Sequence, residues 1–450
     1  MSVESSTGCL HRSNEGDSVQ VTAPERVLRA LARLPLAGFP IGVAIAETTA
    51  ERPRLDDSYA YRLVVNETGV RIEADTQWGA LSALITLAQL TNDESIPCCV
   101  ITDAPRFQWR GLMVDVARHF ISLETLRRTL DAMGYFKLNV LHIHLSDDQA
   151  FRFLGTSFPE LASPGHYTAL ELTALVAYAA DRGIRVVPEL DVPGHTTSWL
   201  VAHPEWGSGG EVSASLSFGP HETVLDPTSS EVMDVLEQIF GEIAEIFPDE
   251  YVHFGGDEVR SSEWRSSAAI QHYMRAQKID DTDGLQAAFN RQLICTLEGL
   301  GKYPVGWDEV LHPNLPDNVV IQCWRGMHGR DEALRAGYDC VVSAPYYLDL
   351  FMPAGVHYQY DPEAEGIDLG RLDGRLRSDP RFAHVVGDLG WGKGFTDYPE
   401  LATSEAGRLL GGEACIWSEL VNDELLDRRV WSRMPAIAER FWSDRDIRDE

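Results

Sequence analysis

Between residues 106 and 442 the chain repeats one pattern: a short apolar run of strand length, followed in most intervals by a longer stretch with helical spacing. Runs at 112–116, 140–145, 184–190, 251–254, 305–307, 319–323, 340–343 and 413–417 read as strands. Between them, 123–136, 169–182, 230–247 and 285–300 carry apolar residues on one helical face, 331–336 is a shorter helix, and 429–442 is the predicted eighth helix. Strands alternating with amphipathic helices call for a parallel sheet, because each helix carries the chain back to the edge where the next strand starts. Eight such strands invite closure into a (β/α)8 TIM barrel of the α/β class. One interval is irregular: 308–318 has room only for a loop, so one crossover helix is predicted to be missing.

A smaller unit precedes the barrel. Residues 1–20 are polar and expected to be disordered. A helix is predicted over 24–34, with a proline suited to its first turn and Pro35 to stop it. Strands at 59–65 and 70–74 flank the turn Asn66-Glu67-Thr68-Gly69, and 77–90 has the spacing of a helix packed on that hairpin. These elements predict a small α+β domain at 21–104, a boundary near Asp103-Ala104-Pro105, and a barrel over 105–450.

With 44% apolar residues the chain can bury a large core. Its balance of 38 basic against 69 acidic residues, a net charge of −31, disfavours nucleic acid, anionic membrane surfaces and polyanionic glycans as partners. A neutral or cationic substrate fits better. Seven cysteines are an odd count, and Cys323, Cys340 and Cys415 sit in apolar runs that suit buried free thiols and a reducing compartment. The first residues lack the apolar core of an export signal and no run reaches membrane-spanning length. The default expectation is therefore cytoplasmic, or secreted or lysosomal if the N-terminus is incomplete. Oligomeric state is left open.

In a barrel of this kind the chemistry gathers where strands end and loops begin. All eight predicted strands end in polar or aromatic groups: Asp115, Arg118 and His119; His142, His144, Asp147 and Asp148; Glu189, Asp191 and His195; Asp257 and Glu258; Trp307 and Asp308; Trp324 and Arg325; Tyr346, Tyr347 and Asp349; Glu413, Trp417 and Glu419. The densest is the fourth, where Tyr251-Val-His-Phe254 runs into Gly255-Gly256 and two adjacent carboxylates, Asp257 and Glu258. Gly-Gly-Asp alone is ordinary turn chemistry. At the end of a buried strand, however, two neighbouring carboxylates push their pKa values apart, leaving one a proton donor and the other an anion.

Trp307, Trp324 and Trp417 could form walls for a pyranose, which stacks its C–H face on an aromatic ring, or could each pack the core. His142 and His144 share a strand face and could hold a metal, which keeps a metal-dependent hydrolase as an alternative. A non-catalytic carbohydrate-binding barrel is another. Ordinary retaining glycosidases place two carboxylates on opposite sides of the scissile bond. An adjacent pair suits a 2-acetamido sugar instead, whose own carbonyl oxygen can attack C1 to form an oxazolinium ion. Glu258 would then protonate the leaving oxygen, and Asp257 would orient the amide N–H and offset the positive charge.

The motifs RGLMVDVARHF (110–120), KLNVLHIHLSDDQAFR (137–152), PELDVPGH (188–195), HFGGDEV (253–259), GWDE (306–309), YYLD (346–349) and GGEACIWSE (411–419) resemble, in order, those of family 20 glycoside hydrolases, the β-N-acetylhexosaminidases. The unit before them resembles the small α+β domain that the family carries. The resemblance implies exo-acting, retaining hydrolysis of terminal β-linked N-acetylglucosamine or N-acetylgalactosamine, with Glu258 as acid/base and Asp257 as the acetamido-orienting group. It implies that Arg118, Asp349 and Glu419 hold sugar hydroxyls, that Tyr347 donates to the acetamido oxygen, and that Trp307, Trp324 and Trp417 line the pocket. Asp147 and His195 would lie behind the acid. No cofactor or metal is implied, so His142 and His144 become structural, and the expected partner is an oligosaccharide or small molecule ending in an N-acetylhexosamine.

Overall fold

Six of the expected barrel strands are buried along their whole length: Trp109–Asp115, Val140–His144, Arg185–Glu189, Tyr251–His253, Val320–Cys323 and Cys340–Val342. The other two, Tyr303–Trp307 and Leu409–Ile416, reach solvent only at their first residue. Strands buried on both faces need cover on both sides, which a parallel barrel wrapped in helices supplies. The computed structural model has that architecture, and it describes residues 1–13, 23–47, 51–92, 94–209, 212–215, 217–363, 374, 378 and 401–447. The eight strands pair in chain order, all parallel, and Leu409–Ile416 returns to Trp109–Asp115 with Glu413 opposite Gly111.

Side chains alternate inward and outward along each strand, so the barrel interior is built in layers. Trp109, Val140, Val187, Tyr251, Val305, Val320, Val341 and Leu410 form an apolar plug at the N-terminal end. The next layer along the axis is polar and buried: His142, Glu189, His253, Gln322 and Glu413. The outward set, with Leu112, Val114, Leu141 and Ile143, packs against helical residues such as Leu126, Leu130 and Met133. Helices Leu123–Tyr135, Ala169–Ala180 and Ser230–Ile246 carry side-chain caps at Ser122, Thr168 and Ser229. The helix expected at 285–300 starts earlier, at Thr282, because Asp281 accepts from Gly284 N–H and caps it.

Between the fifth and sixth strands there is only the 3-10 turn Asp308–Val310, so the expected gap in the helix series is present. The helix predicted over 429–442 is two, Asp423–Trp431 and Met434–Trp442. Pro435 in the first turn of the second has no N–H to continue the first helix, so the chain breaks and restarts. Phe441 lies against Gly412, where a Cβ would fall 2.3 Å from its ring. Among the described residues no helix is long and apolar enough to cross a membrane.

The N-terminal unit is a five-stranded sheet ordered Ser2–His11, Ser95–Asp103, Tyr61–Asn66, Gly69–Ala74, Ile41–Ile45, with helices Glu25–Arg33 and Gln77–Leu90. Three of its strands were not anticipated. Ser2–His11 falls in the segment expected to be disordered, of which residues 14–20 lie outside the described set. It pairs antiparallel with Ser95–Asp103 from Ser2↔Thr102 to His11↔Ser95. Of its apolar residues only Leu10 is buried, so ladder hydrogen bonds rather than an apolar face order this edge, and composition gives no sign of it. The two domains meet on a buried cation: the Arg110 guanidinium lies between the rings of Tyr59 and Trp442, while Trp442 Nε1 donates to Asp103 at 2.9 Å.

Candidate active site

The C-terminal mouth of the barrel is organised by carboxylates that fix loops. Asp115, at the end of the first strand, accepts from the backbone N–H of Ala117 (2.8 Å), Arg118 (3.2 Å) and Ser418 (2.9 Å). It thereby joins the loop carrying Arg118 to the loop carrying Trp417 and Glu419. The Arg118 guanidinium pairs with Asp147 at 2.6 Å and lies 4.9 Å from the centre of the Trp417 ring. Burial works against its charge, but Asp147, Asp115, Glu419 and Asp257 outweigh that and hold its pKa above the ordinary value.

His195 connects two strand ends. Its Nδ1 lies 3.2 Å from Asp147, and its Nε2 lies 4.0 Å from Asp257 Oδ2 and 3.7 Å from Glu258 Oε2. Burial opposes protonation of this imidazole, yet Asp147 and Asp191 raise its pKa well above the ordinary histidine value. The fourth strand delivers its two carboxylates through a strained turn. Gly255 has φ 71°, and a Cβ there would fall 1.7 Å from Asp191 Oδ1, so only glycine lets the two strand ends approach. Glu258 itself sits at φ 49°, a left-handed conformation that costs a non-glycine residue about 1–2 kcal/mol.

Asp191 packs beneath this turn. It accepts from Gly256 N–H at 2.9 Å, and burial together with the charge of Asp257 lifts its pKa well above the carboxyl range. Asp191 is therefore biased toward its acid form, and it hydrogen-bonds to Asp257. Glu258 is also raised, by burial first and then by Asp257, with His195 and Arg118 pulling the other way. Relative to an ordinary glutamate, Glu258 is thus biased toward its acid form.

Arg118, His195, Asp257, Glu258, Trp307, Trp324, Tyr347, Trp417 and Glu419, with Asp191, line one cavity of about 140 Å³. Nine of the eleven site residues expected from sequence are thus brought together. The other two are outside its lining: Asp147 lies between Arg118 and His195, and Asp349 is close enough to Glu419 that burial and that neighbour push its carboxyl up to about 7. Trp307 is buried, its indole N–H donating to Glu189 at 2.8 Å, and its ring stands 5.9 Å from that of Trp417. Asp191 was visible as a strand-end polar residue but given no place in the site. Glu309, within GWDE, was also passed over, although it accepts the Glu258 N–H at 3.1 Å.

His142 and His144 point into the barrel and meet carboxylates at both ring nitrogens. Distances are 2.8 Å to Glu413 and 3.0 Å to Glu189 for His142, and 2.6 Å to Glu189 and 3.0 Å to Asp147 for His144. Burial opposes their charge, but these carboxylates raise His142 to about 9 and His144 to about 10. Both are imidazolium ions in ion pairs, a protonated state that a metal ligand must give up. A larger cleft of about 550 Å³ lies between the two domains, but its cations are paired, Arg182 with Asp131 at 2.5 Å and Arg33 with Asp181 at 3.1 Å. Among the described residues no group of carboxyls converges there as it does at the barrel mouth.

A parallel (β/α)8 barrel whose mouth combines two adjacent carboxyl groups, an arginine and tryptophan walls has the equipment of a glycoside hydrolase. The comparisons agree. Residues 107–445 match the catalytic domain model of glycosyl hydrolase family 20, and residues 14–104 match domain 2 of the same family. The β-hexosaminidase subunit beta of Entamoeba histolytica is 36% identical over 88% of this chain and 70% of its own length; that of Homo sapiens is 33% identical over 88% and 68%. Among solved structures, the chitobiase of Flavobacterium johnsoniae superposes with a TM-score of 0.85 at 32% identity, covering all of this chain and 69% of its own. An exo-β-N-acetylglucosaminidase from Vibrio harveyi, solved with N-acetylglucosamine, gives 0.81 at 27% identity, covering all of this chain and 73% of its own. The chain belongs to glycosyl hydrolase family 20, the family of the β-hexosaminidases, and is an enzyme of that class.

Proposed function

We propose that this chain removes terminal, non-reducing β-linked N-acetylglucosamine or N-acetylgalactosamine, with retention, by substrate-assisted catalysis. The observation that carries the reading is the placement of both leading carboxylates on one side of the cavity, each within 4.0 Å of the same His195 nitrogen. Such a pair is poorly arranged to act from opposite faces of a sugar. It is well arranged to serve a substrate that supplies its own nucleophile.

In the first step the acetamido oxygen attacks C1 while Glu258 gives its proton to the departing glycosidic oxygen, yielding an oxazolinium ion and a free aglycone. Asp257, seated beside Asp191, accepts the amide N–H and offsets the charge on the ring. In the second step Glu258 takes a proton from water, which opens the oxazolinium at C1 and restores the β configuration. Arg118 and Glu419 offer hydrogen bonds to hydroxyls, Tyr347 one to the acetamido oxygen, and the tryptophans an apolar face.

Glu258→Gln tests the acid role. It should lose about 10²–10⁴-fold on glycosides with poor leaving groups and far less on dinitrophenyl glycosides, which need little protonation. Equal loss on both would remove Glu258 from that role.

A further inference from the structure

The missing crossover helix leaves a short turn, Asp308–Val310, in the place where a helix would start. That turn is seated directly beneath the loop carrying Asp257 and Glu258. Trp307 N–H donates to Gly255 O at 3.0 Å, and a Cβ at Gly256 would fall 2.4 Å from Val310. From the same turn Glu309 reaches up, and its Oε2 accepts the backbone N–H of Glu258 at 3.1 Å. Glu258 is one of only four non-glycine residues with positive φ among those described, so its backbone is in a conformation that needs outside support.

We propose that Glu309 is a positioning residue for the acid, its carboxyl oxygen holding the Glu258 peptide in the left-handed turn and so setting where the Glu258 side chain enters the cavity. The proposal rests on Glu258 being the acid. Charged groups facing Glu309 are Arg325, on the loop after the sixth strand, Asp308 on its own turn, and Asp257 and Glu258 above. Arg325 Nε is engaged by Asp308 at 2.9 Å. Burial raises the Glu309 carboxyl to about 8; Arg325 opposes the shift, and Asp257, Asp308 and Glu258 add to it. At neutral pH Glu309 therefore acts as an uncharged acceptor, and what it contributes to Glu258 is direction rather than charge.

Glutamine keeps an acceptor oxygen at that position and alanine does not, so the two variants separate the alternatives. Both are assayed on a methyl or disaccharide β-N-acetylglucosaminide and on the dinitrophenyl glycoside, beside wild type and Glu258→Gln. Displacement of a catalytic group by about 1 Å costs on the order of 10²-fold. Glu309→Ala should therefore lose about 10–100-fold on the poor leaving group and less than about 3-fold on the activated one. Glu309→Gln should stay within about 3-fold of wild type on both. Equal loss on both substrates for Glu309→Ala, no loss on either, or Glu309→Gln as impaired as Glu309→Ala would each overturn the proposal. If Glu258→Gln itself shows no dependence on leaving group, the acid assignment fails first, and the two failures are distinguishable.

Discussion

Replacing His195 by asparagine should move the alkaline limb of kcat/KM to higher pH. The imidazole carries a positive charge 3.7 Å from Glu258 Oε2, and a cation there favours the glutamate anion. Removing it raises the Glu258 pKa, so the proton needed by the leaving group is retained to higher pH. At an effective dielectric of about 20, unit charges at that distance interact by about 4 kcal/mol. The Glu258 side chain is 37% exposed, so solvent screening reduces this to about 1–2 kcal/mol. At 1.36 kcal/mol per unit, that is a shift of about one pH unit. Asp147 keeps its ion pair with Arg118 at 2.6 Å, so the variant does not strand a bare carboxylate. The assay is kcat/KM against pH with an aryl β-N-acetylglucosaminide. A limb that stays in place, or moves to lower pH, would refute the reasoning.

Asp257→Asn alters the carboxyl proposed to face the acetamido group while Asp191 stays in place. Turnover should fall about 10²–10³-fold with KM changing less, read from steady-state kinetics on the same substrate. Asp249→Ala probes stability away from the mouth. Arg185, 1% exposed, is held by Asp249 through two bonds of 2.8 and 2.7 Å, and losing that partner leaves a buried cation uncompensated. A loss of about 3–5 kcal/mol follows, visible as a large drop in the chemical denaturation midpoint.

The barrel was legible because its strands are short apolar runs that must be covered on both faces, and because helical spacing recurs between them. Even the absent helix at 308–318 showed as an interval too short to hold one. Ser2–His11 was not legible, since a polar edge strand is ordered by a partner whose identity local sequence does not carry. Ser95–Asp103 was obscured by Pro97. In the site, Asp257 and Glu258 stood out because adjacency on one strand end is a sequence property. Asp191 and Glu309 did not, because their effect on that pair comes from approach between different strand ends, made possible by the bare backbone at Gly255 and Gly256.

The most direct measurement of the central claim compares two aryl β-glycosides of the same leaving group, one with an acetamido group at C2 and one with a hydroxyl. If the substrate supplies the nucleophile, the acetamido compound should turn over at least about 10³-fold faster, since an intramolecular nucleophile replaces one the protein does not provide. Comparable rates on the two compounds would mean that the protein supplies the attacking group, and the account of Asp257 and Glu258 given above would be contradicted.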